Sequence, residues 1–202
     1  MKTIGFKHAV LNKMTLGGKY KILPGEPLPV EEIVSDVKKA GKKASGFQKL
    51  FLCYRNPSSI DLFALELLAD AISEGYLDIQ AEFIVSAPNI SEAFEHIGSG
   101  RVVESADHQG MKAWVIDFFD AKGIHAAEEV SLLGYQVDVG CISKGLFIEC
   151  GDTEPNKVFS ILFKGYSIGL LQFDSEQIVW LRPRAGFQRR FERDAMDYFG
   201  LC

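Results

Sequence analysis

Two acidic residues, Asp138 and Glu149, each stand between strongly apolar neighbours in segments that have the composition of strands. Side chains alternate between the two faces of a strand, so the loop that joins the segments decides how these acids meet. A two-residue loop at 143–144 would pair position 138 with position 149 and bring their Cβ atoms to roughly 5 Å. A three-residue loop with Gly145 in a bulge would make them diagonal neighbours instead.

Two carboxylates at that distance repel each other, and apolar surroundings screen the repulsion poorly. Such a pair needs a cation, a shared proton or a metal ion, and without a metal one of the two pKa values should be raised. Magnesium favours a few carboxylates together with water and phosphate oxygens. The pattern therefore predicts a site for Mg or Mn, while acids that face solvent or pair with Lys or Arg remain the alternative.

The elements that must position these acids follow from apolar periodicity, caps and glycine stops after residue 105. We predict helices at 107–122, 155–164 and 187–199, and strands at 124–133, 136–142, 146–150, 166–173 and 177–181. The order α-β-β-β-α-β-β predicts an α/β fold, with one mixed sheet over 124–181 flanked by helices. Asp152 or Thr153 is expected to cap the helix that begins at Pro155, although Asp152 could also reach a metal through water.

The first part of the chain, 1–104, is predicted to be an α/β extension that packs on a core formed by 105–202. Its predicted helices are 30–40, 60–74 and 89–98, and its predicted strands are 47–54 and 78–87. The segment 57–59 should cap the second helix, and Gly75 should end it.

Composition restricts the class of protein. With 47% apolar residues the chain can bury one good core, and no apolar run approaches the ~20 residues of a membrane-spanning helix. No secretory signal is visible, and the four cysteines have no zinc-ligand spacing. These features predict a reduced cytoplasmic protein that does not associate with membranes.

Charge is distributed unevenly along the chain. The net charge is −5, yet the first 50 residues hold ten Lys against four acidic residues. A second basic group lies near the end of the chain and consists of Arg182, Arg184, Arg189, Arg190 and Arg193. Such patches permit local contacts with the phosphates of DNA, and an ordinary solvated surface is the alternative.

The segment around the two acids resembles the PD-(D/E)XK, or restriction-endonuclease-like, nuclease superfamily over about 80 of the 202 residues. In that family an Asp lies on the second strand of a meander and a (D/E)-x-K on the third. Here 134–139 matches the Asp strand and 146–151 the third strand. His108 and Lys112, together with Glu128 or Glu129, resemble the branch related to competence-associated nucleases, which carries an additional acid.

The resemblance implies a magnesium- or manganese-dependent enzyme that cleaves DNA. Asp138 and Glu149 would hold the metal, with Glu129 (or Glu128) assisting, and DNA would contact the arginine group, Lys112 and His108. One departure is important, because the family lysine should stand at position 151, where this chain has glycine. Lys157 could replace it, with Lys112 as a further candidate. The alternative function is an inactive nuclease-fold protein that binds nucleic acid or an acidic partner.

Overall fold

A computed structural model describes residues 30–40, 58–84, 106–171 and 177–201. The helices are α1 (Val30–Ala40), α2 (Ser59–Ser73), α3 (Ala106–Asp120), α4 (Pro155–Phe163) and α5 (Phe187–Phe199). The strands are β1 (Leu77–Phe83), β2 (Ala127–Leu132), β3 (Tyr135–Cys141), β4 (Leu146–Cys150), β5 (Ser167–Leu171) and β6 (Gln177–Pro183). The predicted strand at 47–54 and the predicted helix at 89–98 lie outside the described residues.

Helix α2 shows how local sequence sets these boundaries. Ser58 accepts a hydrogen bond from the backbone N–H of Asp61 at 3.2 Å, and the Asp61 carboxylate accepts one from the N–H of Ser58 at 3.2 Å. This reciprocal capping box begins the helix, as expected from the segment 57–59. The helix ends before Gly75, whose φ of +81° lies in the left-handed region.

The six strands form one mixed sheet in the order β1-β6-β5-β4-β3-β2. Strands β4 and β5 are parallel, because α4 returns the chain to the end of the sheet where β4 begins. All other neighbouring strands are antiparallel. The predicted mixed sheet with flanking helices is therefore confirmed. Strand β1 belongs to the range 1–104, and it forms an edge of this same sheet.

Helices cover both faces of the sheet. On one face, α2, α4 and α5 enclose a core that includes Phe147, Phe159 and Leu181. On the other face, α3 packs its Val115 and Phe119 against Ile148 and its neighbours. No helix within the described ranges is both long enough and apolar enough to cross a membrane.

The hairpin of β3 and β4 brings Asp138 and Glu149 onto neighbouring strands, just beyond the last pair of the ladder, Val139 and Ile148. Gly140 pairs with Phe147, and this register continued by one residue beyond Val139 would set Asp138 opposite Glu149. The connection is a 3-10 turn at Ile142–Lys144 followed by Gly145, with a φ of +62°, and not a two-residue loop. The register nevertheless equals the one that a two-residue loop predicts.

Regular alternation fails at one point beside the site. Strict alternation along β3 predicts one face for Val137 and Val139, but Val137 belongs to the core under α4 and Val139 to the core under α3. The pairing with β2 passes from Glu128–Val139 to Val130–Val137, and between them Glu129 has a φ of +53°. Alternation along β3 therefore breaks between the two valines, opposite this left-handed residue of β2, and the expectation of a shared face is wrong for them.

Candidate functional site

Glu149 is the centre of a cluster of charged side chains where β4 leads into α4. Its side chain is only 3% exposed. Oε2 accepts hydrogen bonds from Lys157 Nζ at 2.7 Å and from Thr153 Oγ1 at 3.1 Å. Oε1 is buried and has no hydrogen-bond partner among the described residues. A buried carboxylate oxygen without a partner is costly, so this atom is the feature of the cluster that most needs an explanation.

The pKa of Glu149 is raised to about 7. Burial is the largest cause, Lys157 opposes it, and the negative charge of Asp138 adds to the increase. The raised pKa was expected from the paired acids, but the sequence attributed it to mutual repulsion. Burial decides it, because losing water disfavours the charged form more strongly than one neighbouring charge does.

Asp138 is held from two sides. Its Oδ2 accepts a hydrogen bond from the backbone N–H of Cys150 at 2.7 Å and lies 3.2 Å from Nε2 of His108 on α3. Its side chain is 15% exposed. A backbone donor from the neighbouring strand fixes the rotamer of this acid, and His108, predicted to bind nucleic acid, lies directly beside it.

Lys157 occupies the place that the sequence suggested for it. It lies in the first turn of α4, is 12% exposed, and also donates a hydrogen bond to the carbonyl oxygen of Gln136. The ammonium group therefore joins β3, β4 and α4 at the site.

Position 151, where the resemblance would place a lysine, has a backbone conformation that favours glycine. Its φ is +85°, and its N–H donates to the carbonyl oxygen of Leu171 at 2.7 Å. A side chain in this left-handed conformation costs about 1–2 kcal/mol. The chain turns sharply here into α4, so a lysine can approach Glu149 more easily from position 157.

Glu129 and Lys112 form a second ion pair next to the first. Lys112 on α3 is 2% exposed and binds Glu129, whose side chain is 43% exposed. Burial is the chief cause that raises the pKa of the Cys150 thiol. The negative charges of Asp138 and Glu149 raise this pKa further, and the positive charge of Lys112 lowers it. That thiol stays protonated at neutral pH, as expected for a small core residue.

The donor set determines which metal the site could hold. Within the described residues no three His, Cys, Asp or Glu side chains are arranged around one point. Asp138 lies beside His108 and Glu149 beside Lys157, on neighbouring strands, and Oε1 of Glu149 is unpartnered. Two carboxylates with water and phosphate completing the shell fit magnesium or manganese, and they do not fit zinc.

The start of α4 differs from the prediction. Glu154 is the N-cap residue and makes no side-chain capping hydrogen bond, so the prediction of a cap at Asp152 or Thr153 is wrong. Thr153 is buried, and its hydroxyl donates a hydrogen bond to Glu149 instead. The N–H of Asn156 donates to Asp61 Oδ1 at 3.3 Å. Local sequence carries no signal for this contact, because the two residues are 95 positions apart.

The arginine group lies away from the acids, near the ends of β1 and β6. Three of its members bind polar side chains of the α2–β1 region: Arg182 with Gln80 at 2.9 Å, Arg184 with Asp78 at 3.0 Å, and Arg190 with Glu74 at 2.6 and 2.7 Å. Arg189 and Arg193 are exposed on α5. Strand register places Arg182 and Arg184 at the end of the sheet where β4 begins. Glu149 lies at the opposite end, where β4 ends.

Comparisons with protein families, with curated proteins and with solved structures find no match to this chain.

Proposed function

We propose that this protein is a metal-dependent nuclease-like protein that hydrolyses DNA phosphodiesters on a restriction-endonuclease-like core. The observation that carries the proposal is the buried carboxylate of Glu149, which has one unpartnered oxygen, a lysine at 2.7 Å and Asp138 on the neighbouring strand. A solvent-facing acid would show neither this burial nor an oxygen shielded from water. The order of helix, three-stranded meander, helix and strand around it also supports the family resemblance.

The side chains suit this reaction in complementary ways. Asp138 and Glu149 would hold Mg or Mn, and a bound ion of this kind lowers the pKa of water and stabilises charge on phosphate oxygens. Asp138 is fixed through Oδ2, which leaves Oδ1 to face a ligand. Lys157 places a cation at the site, where it can orient a phosphate and offset the negative charge that develops on it.

A second candidate function is binding without catalysis, and two observations favour it. Lys157 and His108 already lie at the two carboxylates, and the motif lysine is absent at Gly151. In this case the charged cluster would stabilise the fold, and exposed basic residues would bind nucleic acid or an acidic partner.

A cleavage assay separates the two candidates. Wild-type protein with Mg or Mn should cleave single- or double-stranded DNA, and Asp138→Ala should lower the rate at least about a hundredfold because it removes a ligand. Chelation should stop the wild-type reaction. DNA that is bound but never cut, with either metal, would favour the second candidate, and equal rates for both proteins would exclude the site.

The arginine group allows a separate prediction about DNA binding. If its exposed members contact phosphates, affinity should fall steeply with salt, and Arg189→Ala and Arg193→Ala should each reduce the slope of log affinity against log salt by about one. Arg190→Ala is the matched control and should change the slope less, because Glu74 already binds this side chain through two hydrogen bonds. Titrations by fluorescence anisotropy would measure the slopes. Salt-independent binding would leave the arginines as ordinary surface.

A further inference from the structure

Helix α4 begins without a cap from its N-cap residue, although within its first turn Asn156 Oδ1 accepts from the N–H of Lys157 at 2.6 Å. Its N-cap residue, Glu154, makes no side-chain hydrogen bond to the helix, although the first N–H groups of any helix need acceptors from outside it. Asp61 provides one of them, because its Oδ1 accepts from the N–H of Asn156 at 3.3 Å. A carboxylate at this end of a helix also interacts favourably with the helix dipole.

Asp61 serves two helices at once. Its other oxygen, Oδ2, accepts hydrogen bonds from the N–H of Ser58 at 3.2 Å and from the Ser58 hydroxyl at 2.6 Å, which caps α2. The residue is only 2% exposed, so water does not compete for these contacts. One buried carboxylate thereby ties the starts of α2 and α4 together.

The residue that follows Asn156 is Lys157. Its flexible side chain must hold the ammonium group at 2.7 Å from Glu149 Oε2 while it also reaches the carbonyl oxygen of Gln136. Asp61 is the acceptor from outside the helix, and without it the Asn156 contact to the N–H of Lys157 would be the only side-chain cap of the first turn among the described residues. A first turn held more weakly frays more often, and fraying would release the lysine from the site.

We propose that Asp61 is a positioning residue, which fixes the first turn of α4 and thereby holds the Lys157 ammonium group at Glu149. The effect on catalysis rests on the proposed function, whereas the effect on the position of Lys157 does not.

A double-mutant cycle in urea unfolding tests this without any activity. At pH 8, Asp61→Ala should weaken the effect of Lys157→Met, with a coupling of at least about threefold in the unfolding equilibrium constant, although Asp61 and Lys157 share no direct hydrogen bond. Ser58→Ala is the matched control, because it removes a hydroxyl contact to Oδ2 of Asp61 and keeps Oδ1, the acceptor of the Asn156 N–H. Its effect should add to that of Lys157→Met within about twofold. Additive effects for Asp61→Ala as well would overturn the proposal.

Asp61→Asn keeps one acceptor oxygen and supplies a second measurement, which still decides the matter if Asp61→Ala does not fold. Its coupling to Lys157→Met should be smaller than that of Asp61→Ala and above zero, and no coupling for Asp61→Asn would count against the proposal. In the cleavage assay Asp61→Asn should lower kcat several-fold with KM unchanged, while Ser58→Ala should change neither kcat nor KM. A wild type that does not cleave DNA would overturn the proposed function, and the unfolding cycle would still decide the role of Asp61.

Discussion

Lys157→Met is expected to lower the rate of metal-dependent DNA cleavage by about a hundredfold to a thousandfold. Lys157 Nζ is 2.7 Å from Glu149 Oε2, and removing one cation that stabilises developing charge in a sheltered site has an effect of this size. Single-turnover cleavage with saturating metal measures it directly. Lys164→Met is the matched control, because Lys164 caps the opposite end of α4 and should leave the rate unchanged.

A lysine at position 151 should not compensate for this loss. Gly151 has a φ of +85°, so Gly151→Lys should destabilise the fold by about 1–2 kcal/mol and present its side chain from a strained backbone. The double variant Gly151→Lys with Lys157→Met should therefore cleave as slowly as Lys157→Met alone. Restored cleavage would show that position 151 can reach the site, and the argument from the backbone conformation of Gly151 would be wrong.

Glu149→Gln is expected to make the protein more stable above neutral pH, by up to about 3 kcal/mol. The pKa of Glu149 in the folded chain is about 7, compared with 4.5 for an ordinary glutamate, so the folded state binds the proton more tightly than the unfolded state. This contribution to stability is fully present below pH 4.5 and is lost as the pH rises through 7. Glutamine resembles the protonated acid, so the variant keeps its stability where the wild type loses it.

Urea unfolding of both proteins between pH 4 and pH 8 measures this difference. The two curves should coincide at low pH and separate as the pH approaches 7, and Glu128→Gln, on the exposed part of β2, should follow the wild type. Curves that stay parallel over the whole range would mean that Glu149 titrates normally in the folded chain.

The same two proteins report on metal binding. Mg or Mn at ten times its Kd should stabilise the wild type by about 1.4 kcal/mol, which raises the melting temperature by about 3–6 °C in a chain of this size. Glu149→Gln should lose this response. A wild type that ignores both metals would remove the main physical support for the nuclease proposal.

Local sequence determined many of the helices and strands that position the two acids. The bounds of β4 at 146–150 and of α5 at 187–199 agree with the prediction, and several other elements differ at their ends only. The register of β3 against β4, which brings Asp138 close to Glu149, was also predictable, because a short connection determines it. These signals act over a few residues, within the reach of one turn or one hairpin.

Tertiary structure alone decided the chemical state of the site. Glu149 has a raised pKa because α4 and the surrounding core exclude water from it, and alternation in the sequence cannot measure that burial. Three other features depend on contacts between residues about 95 to 116 positions apart in the chain. They are the pairing of β1 with β6, the hydrogen bonds of the arginines and the contact of Asp61 with α4. Such contacts depend on how whole helices and strands pack, and no local pattern records them. The sequence therefore determined which side chains could meet, and the packing of the helices on the sheet decided which of them are buried, charged and paired.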